Sequence, residues 1–322
     1  MWTEKLRTNP IGLLFASDDT ALVFRLEQNL LKCPEQSPEI LWELPEVKKL
    51  LKKQQKDGSW KFRGNRPGDE WGENYELIET WRNMRFLVEM YCMHRGHPAV
   101  ERASEFILGC QTEEGDIRGI LSNQYMPYYM GAIMEILIKA GYQEDKRIEN
   151  GFIWLIRNRQ DDGGWIIPMA MYNTREYYSL CQKPPIPPDR SLPSSHMATG
   201  MVIRAFAAHP EYRKSEEAIR AGNLLKSRFF QTDTFNSRKT VDYWFKFQFP
   251  FWWTDLLTAL DSLMRMEYSL QDTHIQKGIE WLVENQENSG GWKAAYGRGR
   301  NPNADLWVTF AVCRVLKYFL RE

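Results

Sequence analysis

The sequence predicts an all-α protein assembled from helical hairpins, and three observations carry that prediction. A helix-plus-turn pattern, clearest at residues 277–292, recurs in register along the chain. Few stretches alternate apolar and polar residues with the period of two that a half-buried strand requires. Glycine and proline fall between the apolar-periodic segments rather than within them.

Taken in order, the chain opens with a half-repeat, residues 9–32. Asn9-Pro10 breaks the backbone, Ser17, Asp18 or Asp19 offers an N-cap, and Leu22, Leu26 and Leu30 follow at helical spacing. In the first full repeat, 45–94, Leu50-Leu51 marks an amphipathic helix whose other side carries Lys48, Lys49, Lys52 and Lys53, so it faces solvent. It ends in the turn Gln55-Lys56-Asp57-Gly58-Ser59-Trp60. The next helix, near 74–94, holds Leu77, Trp81, Phe86, Leu87 and Met90 and is expected to be buried more fully. Each repeat therefore reads as an outer helix, a turn and an inner helix.

The second repeat, 99–140, has Phe106-Ile107, Gln111 and Gly115, with Ile117 in the tryptophan position and an inner helix near 124–139. The third, 144–209, has Trp154-Leu155 and Gly163-Gly164-Trp165, with Arg159 in the glutamine position, Gln160 beside it, and an inner helix near 195–208. It contains an insert, 166–193, in which Pro184-Pro185-Ile186-Pro187-Pro188 precludes a continuous helix. The insert leads into the helix at His196, so it is placed as a lid over the mouth of the inner helices or as a strap across the outside. The fourth repeat, 213–267, is degenerate: Leu224-Leu225 and Phe235 remain, but Phe229 and Asp233 replace glutamine and glycine, and its inner helix is expected near 251–267. The fifth, 272–320, combines Trp281-Leu282, Gln286, Gly290 and Trp292 with an inner helix near 303–319. Residues 1–322 thus read as one domain. Helical hairpins stack as an open superhelix or close into a barrel, and spacing alone does not choose between them.

Composition narrows the function. Lys+Arg and Asp+Glu both number 42, so there is no overall charge footprint for nucleic acid. The five cysteines are scattered and form no Cys-x-x-Cys pair, which points to a reducing cytoplasm. Glu4, Lys5 and Arg7 interrupt the N-terminal segment, and the apolar run 11–16 is too short for a signal sequence or a membrane span.

The pattern Lys277-Gly278-x-x-Trp281-Leu282-x-x-x-Gln286-x-x-x-Gly290-x-Trp292 resembles, over its whole length, the QW repeat of the squalene-hopene and oxidosqualene cyclases. A looser form occurs in the beta subunits of protein prenyltransferases. The resemblance recurs across most of the chain and implies an (α/α)6 toroid, with an inner ring of helices around a central cavity and an outer ring around that. On this reading Gln55, Gln111 and Gln286, with Trp60, Trp165 and Trp292, belong to the scaffold: the amide bonds nearby peptide groups, glycine permits positive φ, and the indole packs on the next outer helix.

The resemblance places chemistry at the rim where inner helices begin and free N–H groups favour anions. Cyclases that protonate an alkene use an Asp-x-Asp-Asp motif, which is absent here. Asp18-Asp19 reads as a cap and Asp161-Asp162 as part of a turn. The remaining candidates for a lone acid are Asp255 and Asp305, with His196 at the start of a neighbouring inner helix; each also fits a cap or first-turn role. The zinc motif Asp-x-Cys of the prenyltransferases is also absent, and no metal or other cofactor is expected.

Residues 243–253 are the most aromatic stretch. Trp244, Phe249, Trp252 and Trp253, together with Tyr125, Tyr129 and Trp307, are the expected substrate-binding residues. Their π faces suit a carbocation or a long prenyl chain, and they equally suit an ordinary filled core. Three functions are compatible. The first is an isoprenoid-processing, terpene cyclase-like protein with a lone aspartic acid and a hydrophobic small-molecule substrate. The second is a non-catalytic binding or interaction module on the same toroid. The third, by fold analogy alone, is carbohydrate processing, for which no pair of catalytic carboxylates is visible. Exposed rings would also serve a peripheral membrane contact, and oligomeric state is left open.

Overall fold

The computed structural model describes residues 2–321 apart from 32, 35, 65–72, 172–178, 181–182, 235, 298 and 300. Among these residues the regular structure is entirely helical, interrupted only by isolated bridges such as Gln54 with Trp60 and Gln111 with Ile117. The α-helices are α1 (Ile11–Phe15), α2 (Thr20–Leu26), α3 (Glu39–Trp42), α4 (Pro45–Leu51), α5 (Tyr75–Glu89), α6 (Pro98–Leu108), α7 (Pro127–Leu137), α8 (Lys146–Arg157), α9 (His196–Ala208), α10 (Glu216–Ser227), α11 (Leu256–Arg265), α12 (Thr273–Glu284) and α13 (Ala304–Phe319).

Helix starts follow from local chemistry. The carboxylates of Asp19, Asp145, Asp255 and Asp272, the Asn74 amide and the hydroxyls of Ser195 and Ser215 accept first-turn N–H groups that no helical carbonyl can reach. Proline opens α4, α6 and α7, where its missing N–H costs nothing. The fourth inner helix starts later than its sequence suggests: residues 251–255 are not helical, and α11 begins only after the reciprocal cap between Asp255 and Thr258.

Two kinds of helix alternate. Every residue of α7 is buried, as is α9 as far as Ala207. By contrast, α8 buries the stripe Ile148, Gly151, Phe152, Trp154 and Leu155 and leaves Ile153 exposed. The buried helices pack in order, α5 on α7, α7 on α9, α9 on α11 and α11 on α13. The α7–α9 approach depends on Gly131, where a Cβ would lie 2.4 Å from Val202 Cα. The two ends of the chain meet, because α13 packs against α1 and α2, Trp307 Nε1 donates to Asp19 (2.8 Å), and Lys317 Nζ donates to the carbonyls of Asn29 and Leu30.

The recurring turn explains the sequence pattern. Each tryptophan indole N–H donates to a carbonyl of the preceding outer helix: Trp60 to Leu50, Trp165 to Leu155 and Trp292 to Leu282. The backbone N–H of the same residue donates to a threonine of the buried helix that follows, at Thr80, Thr199 and Thr309. The glutamine joins two repeats. Gln54, Gln111 and Gln286 each donate to the glycine carbonyl of their own turn and, at 2.7 Å, to a carbonyl of the next unit, those of Ala99, Arg147 and Thr8. Glycine is required because a Cβ at Gly58, where φ is +91°, would lie 2.2 Å from Arg102 O.

The first repeat corrects the sequence register. Its joining glutamine is Gln54 rather than Gln55, because Trp60 aligns on Leu50 and shifts the unit by one residue; Gln55 bonds Ser59 instead. In the third repeat Gln160 turns to the carbonyls of Asp189 and Leu192. In the degenerate fourth, Asp233 accepts from Ser195 Oγ and from the N–H groups of His196 and Met197, so it ties the turn to the start of α9. Phe235 lies outside the described residues.

The described part of the insert is strapped down at two points. Gln124 donates to the carbonyls of Leu180, Lys183 and Pro184 and accepts from Ile186 N, while Gln160 and Asp161 hold residues 189–192.

Candidate functional site

Residues 241–255 pack against the buried helices, and Trp244, Phe247, Phe249 and Phe251 of this segment are themselves buried. Phe251 is buried, and its carbonyl accepts from Arg85 Nη1 (2.8 Å) on α5 and from Arg204 Nη2 (3.2 Å) on α9. Arg204 Nη1 also binds the Trp252 carbonyl at 2.8 Å. Two guanidiniums thus pin the aromatic segment by its main chain. Trp252 meets Trp81 edge-on at 4.9 Å and covers the guanidiniums of Arg85 and Arg82 at 4.6 and 4.9 Å. Trp253 carries Arg238 on its face at 4.4 Å, and Arg238 also reaches the rings of Tyr243 and Tyr296.

Beneath this segment lies a buried ionic layer. Glu135 of α7 pairs with Arg204 and with Lys139, Lys139 also pairs with Glu89 of α5, and Asp261 of α11 pairs with Arg265 and with Arg314 of α13. Burial raises the Glu89 carboxyl, but Lys139, Arg265 and Arg314 outweigh it and hold the group at about 2. Asp261 is likewise held down against its own burial, by Arg265 and Arg314. Burial, reinforced by Arg204, pushes Arg85 down to about 9. Charge therefore occupies ground that the sequence assigns to hydrocarbon.

Between the aromatic segment and α5 lies a pocket of about 610 Å³. Phe249, Trp252 and Trp253 give it apolar wall, and Glu79, Arg82 and Arg85 give it charge.

Of the other expected binding residues, Tyr129, which also meets Trp253 at 6.2 Å, and Trp307 pack on the rings of the pocket wall, whereas Tyr125 and Trp244 have partners elsewhere. Tyr125 donates to Glu114, and Tyr129 meets Trp81 edge-on at 5.4 Å. Trp244 packs on the His196 ring at 4.5 Å, and Trp307 stacks on Phe249 at 5.4 Å with its indole N–H on Asp19.

The three expected catalytic residues also have separate partners. Asp255 is buried and accepts from Thr258 N at 2.8 Å; burial raises it to about 8 despite the Thr258 bonds. Asp305 Oδ1 accepts from Ala294 N at 2.7 Å, which ties the start of α13 to the last repeat turn. His196 Nε2 lies 3.6 Å from Asp233 Oδ2, and its Nδ1 is buried without a partner among the described residues; burial lowers its basicity against the pull of Asp233. Asp162, of the turn pair, accepts from Gly164 N and from Ser194, while Asp19 caps α2.

Sequence reasoning missed Arg82, Arg85 and Arg238. The available signal was Trp81-Arg82-x-x-Arg85, two arginines three residues apart on a helix already expected to be buried. Among the described residues no group of three or more His, Cys, Asp or Glu side chains gathers as a metal site, and no helix is long and apolar enough to cross a membrane.

A search of curated proteins gives no match. Among solved structures, a protein from Actinoplanes is 15% identical, with 94% of this chain and 90% of that chain covered and a TM-score of 0.43. The type II terpene cyclase MstE from Scytonema, without ligand, is 14% identical, with 84% and 95% covered and a TM-score of 0.31. A variant of MstE in complex with merosterolic acid A, its product, gives 14% identity, 84% and 93% coverage and a TM-score of 0.32. The model of the squalene-hopene cyclase C-terminal domain matches residues 123–304, more than half of the sequence, and the chain belongs to that family.

Proposed function

We propose that the chain closes as an (α/α)6 toroid and binds a terpenoid or similar isoprenoid ligand in the pocket beside Trp252 and Trp253. The observation that carries this reading is the pocket itself, walled by Phe249, Trp252 and Trp253 between the middle of α5 and the start of α13. Support for the closed ring comes from the bonds between the last repeat and the first, Gln286 to Thr8 and Trp307 to Asp19. The binding test titrates the protein with squalene and with geranylgeraniol while tryptophan fluorescence is recorded. Quenching that is lost in Trp252→Ala supports the proposal; absence of both quenching and thermal shift with every isoprenoid tried rejects it.

A second reading, cyclisation with Asp255 as a lone proton donor, is favoured by one observation: this buried carboxyl follows the last wall residue, Trp253, by two positions and, at about 8, keeps its proton near neutral pH. A carboxyl of that kind is nevertheless a weak acid for an alkene, so binding without turnover is the primary proposal. Mass spectrometry of incubations with squalene and prenyl diphosphates separates the two. A cyclised product that disappears in Asp255→Asn, with Asp305→Asn compared in parallel, selects the enzyme.

A further inference from the structure

The pocket contains a buried guanidinium to which, among the described residues, no carboxylate is bonded. Arg85 is 2% exposed, and its guanidinium is covered by Trp252 at 4.6 Å and Trp81 at 5.3 Å. Among the described residues it makes one hydrogen bond, from Nη1 to the Phe251 carbonyl, and its Nε has no partner. That carbonyl also accepts from Arg204, so it does not depend on Arg85. The nearby carboxylates are engaged elsewhere, Glu89 with Lys139 and Glu135 with Lys139 and Arg204. Arg82, one turn earlier, reaches Glu79 only at 3.4 Å, and its Nε is likewise buried without a partner. A buried cation without a counter-ion is costly, and an anion held by guanidinium N–H groups removes that cost with charge-assisted bonds.

Resting on the reading that this pocket holds an apolar ligand, we propose that Arg82 and Arg85 form a head-group site for one singly charged anion, the carboxylate of an amphiphile whose body lies on Phe249 and Trp253. The single charge follows from the described lining residues, among which two guanidiniums against the Glu79 carboxylate leave one positive charge to be matched. Both guanidiniums lie over the Trp252 ring and line the pocket, and their planar N–H forks suit a planar carboxylate.

The test uses the full chain and calorimetric titration with four probes: geranylgeranoic acid, geranylgeraniol, geranylgeranyl diphosphate and oleic acid. The acid is expected to bind about tenfold or more tightly than the alcohol, as a charged hydrogen-bond pair gives. Arg82→Gln and Arg85→Met are each expected to remove that advantage, read as the ratio of acid to alcohol affinity within each variant, and the diphosphate is expected to bind no more tightly than the acid. Should Arg85→Met fail to fold, Arg82→Gln, at a half-exposed position, decides alone. Equal affinity for acid and alcohol, an advantage that survives the substitutions, or tighter binding of the diphosphate overturns the head-group site while alcohol binding leaves the pocket reading intact. Oleic acid binding as tightly as the isoprenoid acid supports the site and overturns the isoprenoid body. No binding of any probe overturns both.

Discussion

Replacing Asp255 with asparagine is expected to stabilise the protein by an amount that grows with pH. Asp255 is raised from 3.8 to about 8, chiefly by burial, so between these values the folded chain holds a proton that the unfolded chain has released. Stability falls with rising pH wherever the native state binds more protons, here by about 1.4 kcal/mol per unit, and the loss begins near the unfolded value and is complete above about 8. Asparagine is neutral throughout and caps a helix as well as aspartate does, so it keeps the bond from Thr258 N and removes the titration. The advantage of Asp255→Asn is therefore about 4 kcal/mol near pH 7, and it levels off once the wild-type group ionises in the folded state. Urea denaturation of both proteins at several pH values between 5 and 9 measures the difference. Parallel stability profiles would refute the reasoning, because Asp255 would then be ionised at neutral pH and would have no proton to give to any substrate.

Two further predictions concern the scaffold. Gln286→Ala removes the bonds to Gly290 O and Thr8 O and the one accepted from Thr8 N, a loss of about 1–3 kcal/mol, together with faster proteolysis of the N-terminal segment; an unchanged melting temperature and digestion pattern would contradict the joining role. Glu135→Gln leaves Arg204 and Lys139 without their shared carboxylate inside the protein and is expected to cost about 3–5 kcal/mol in chemical denaturation. A loss near zero would mean that water reaches the ionic layer.

The sequence discloses those features that local spacing determines. Trp292, Gln286 and Gly290 are visible because the turn must place an indole on a carbonyl ten residues back and an amide on a glycine four residues ahead, and such distances repeat. The one-residue error at Gln54 arises because Leu50 and Leu51 are both apolar on a short helix, so either satisfies the pattern until Trp60 selects Leu50. The late start of α11 has a similar origin: an aromatic run is a credible helix by composition, yet Phe251 and Trp252 spend their carbonyls on Arg85 and Arg204 instead. The charged layer was hidden for a stronger reason. Arginine and glutamate are expected at the surface, and their burial here depends on partners separated in sequence by 69 residues in Glu135–Arg204 and 53 in Asp261–Arg314.

These pairs follow the order of the buried helices. Glu89 on α5 reaches Lys139 just past α7, Glu135 on α7 reaches Arg204 on α9, and Asp261 on α11 reaches Arg314 on α13. Since buried ion pairs contribute little net stability compared with hydrocarbon of the same volume, their consequence here is geometric: each fixes one buried helix against the next in axial register. Arg85 lies outside this arrangement. Among the described residues it joins no neighbouring helix through a carboxylate, and the carbonyl it holds is already held by Arg204. The scaffold accounts for its stacking on two tryptophans and its bond to Phe251, but among the described residues it leaves the Arg85 Nε without a partner, and that is the group the proposed ligand anion would serve.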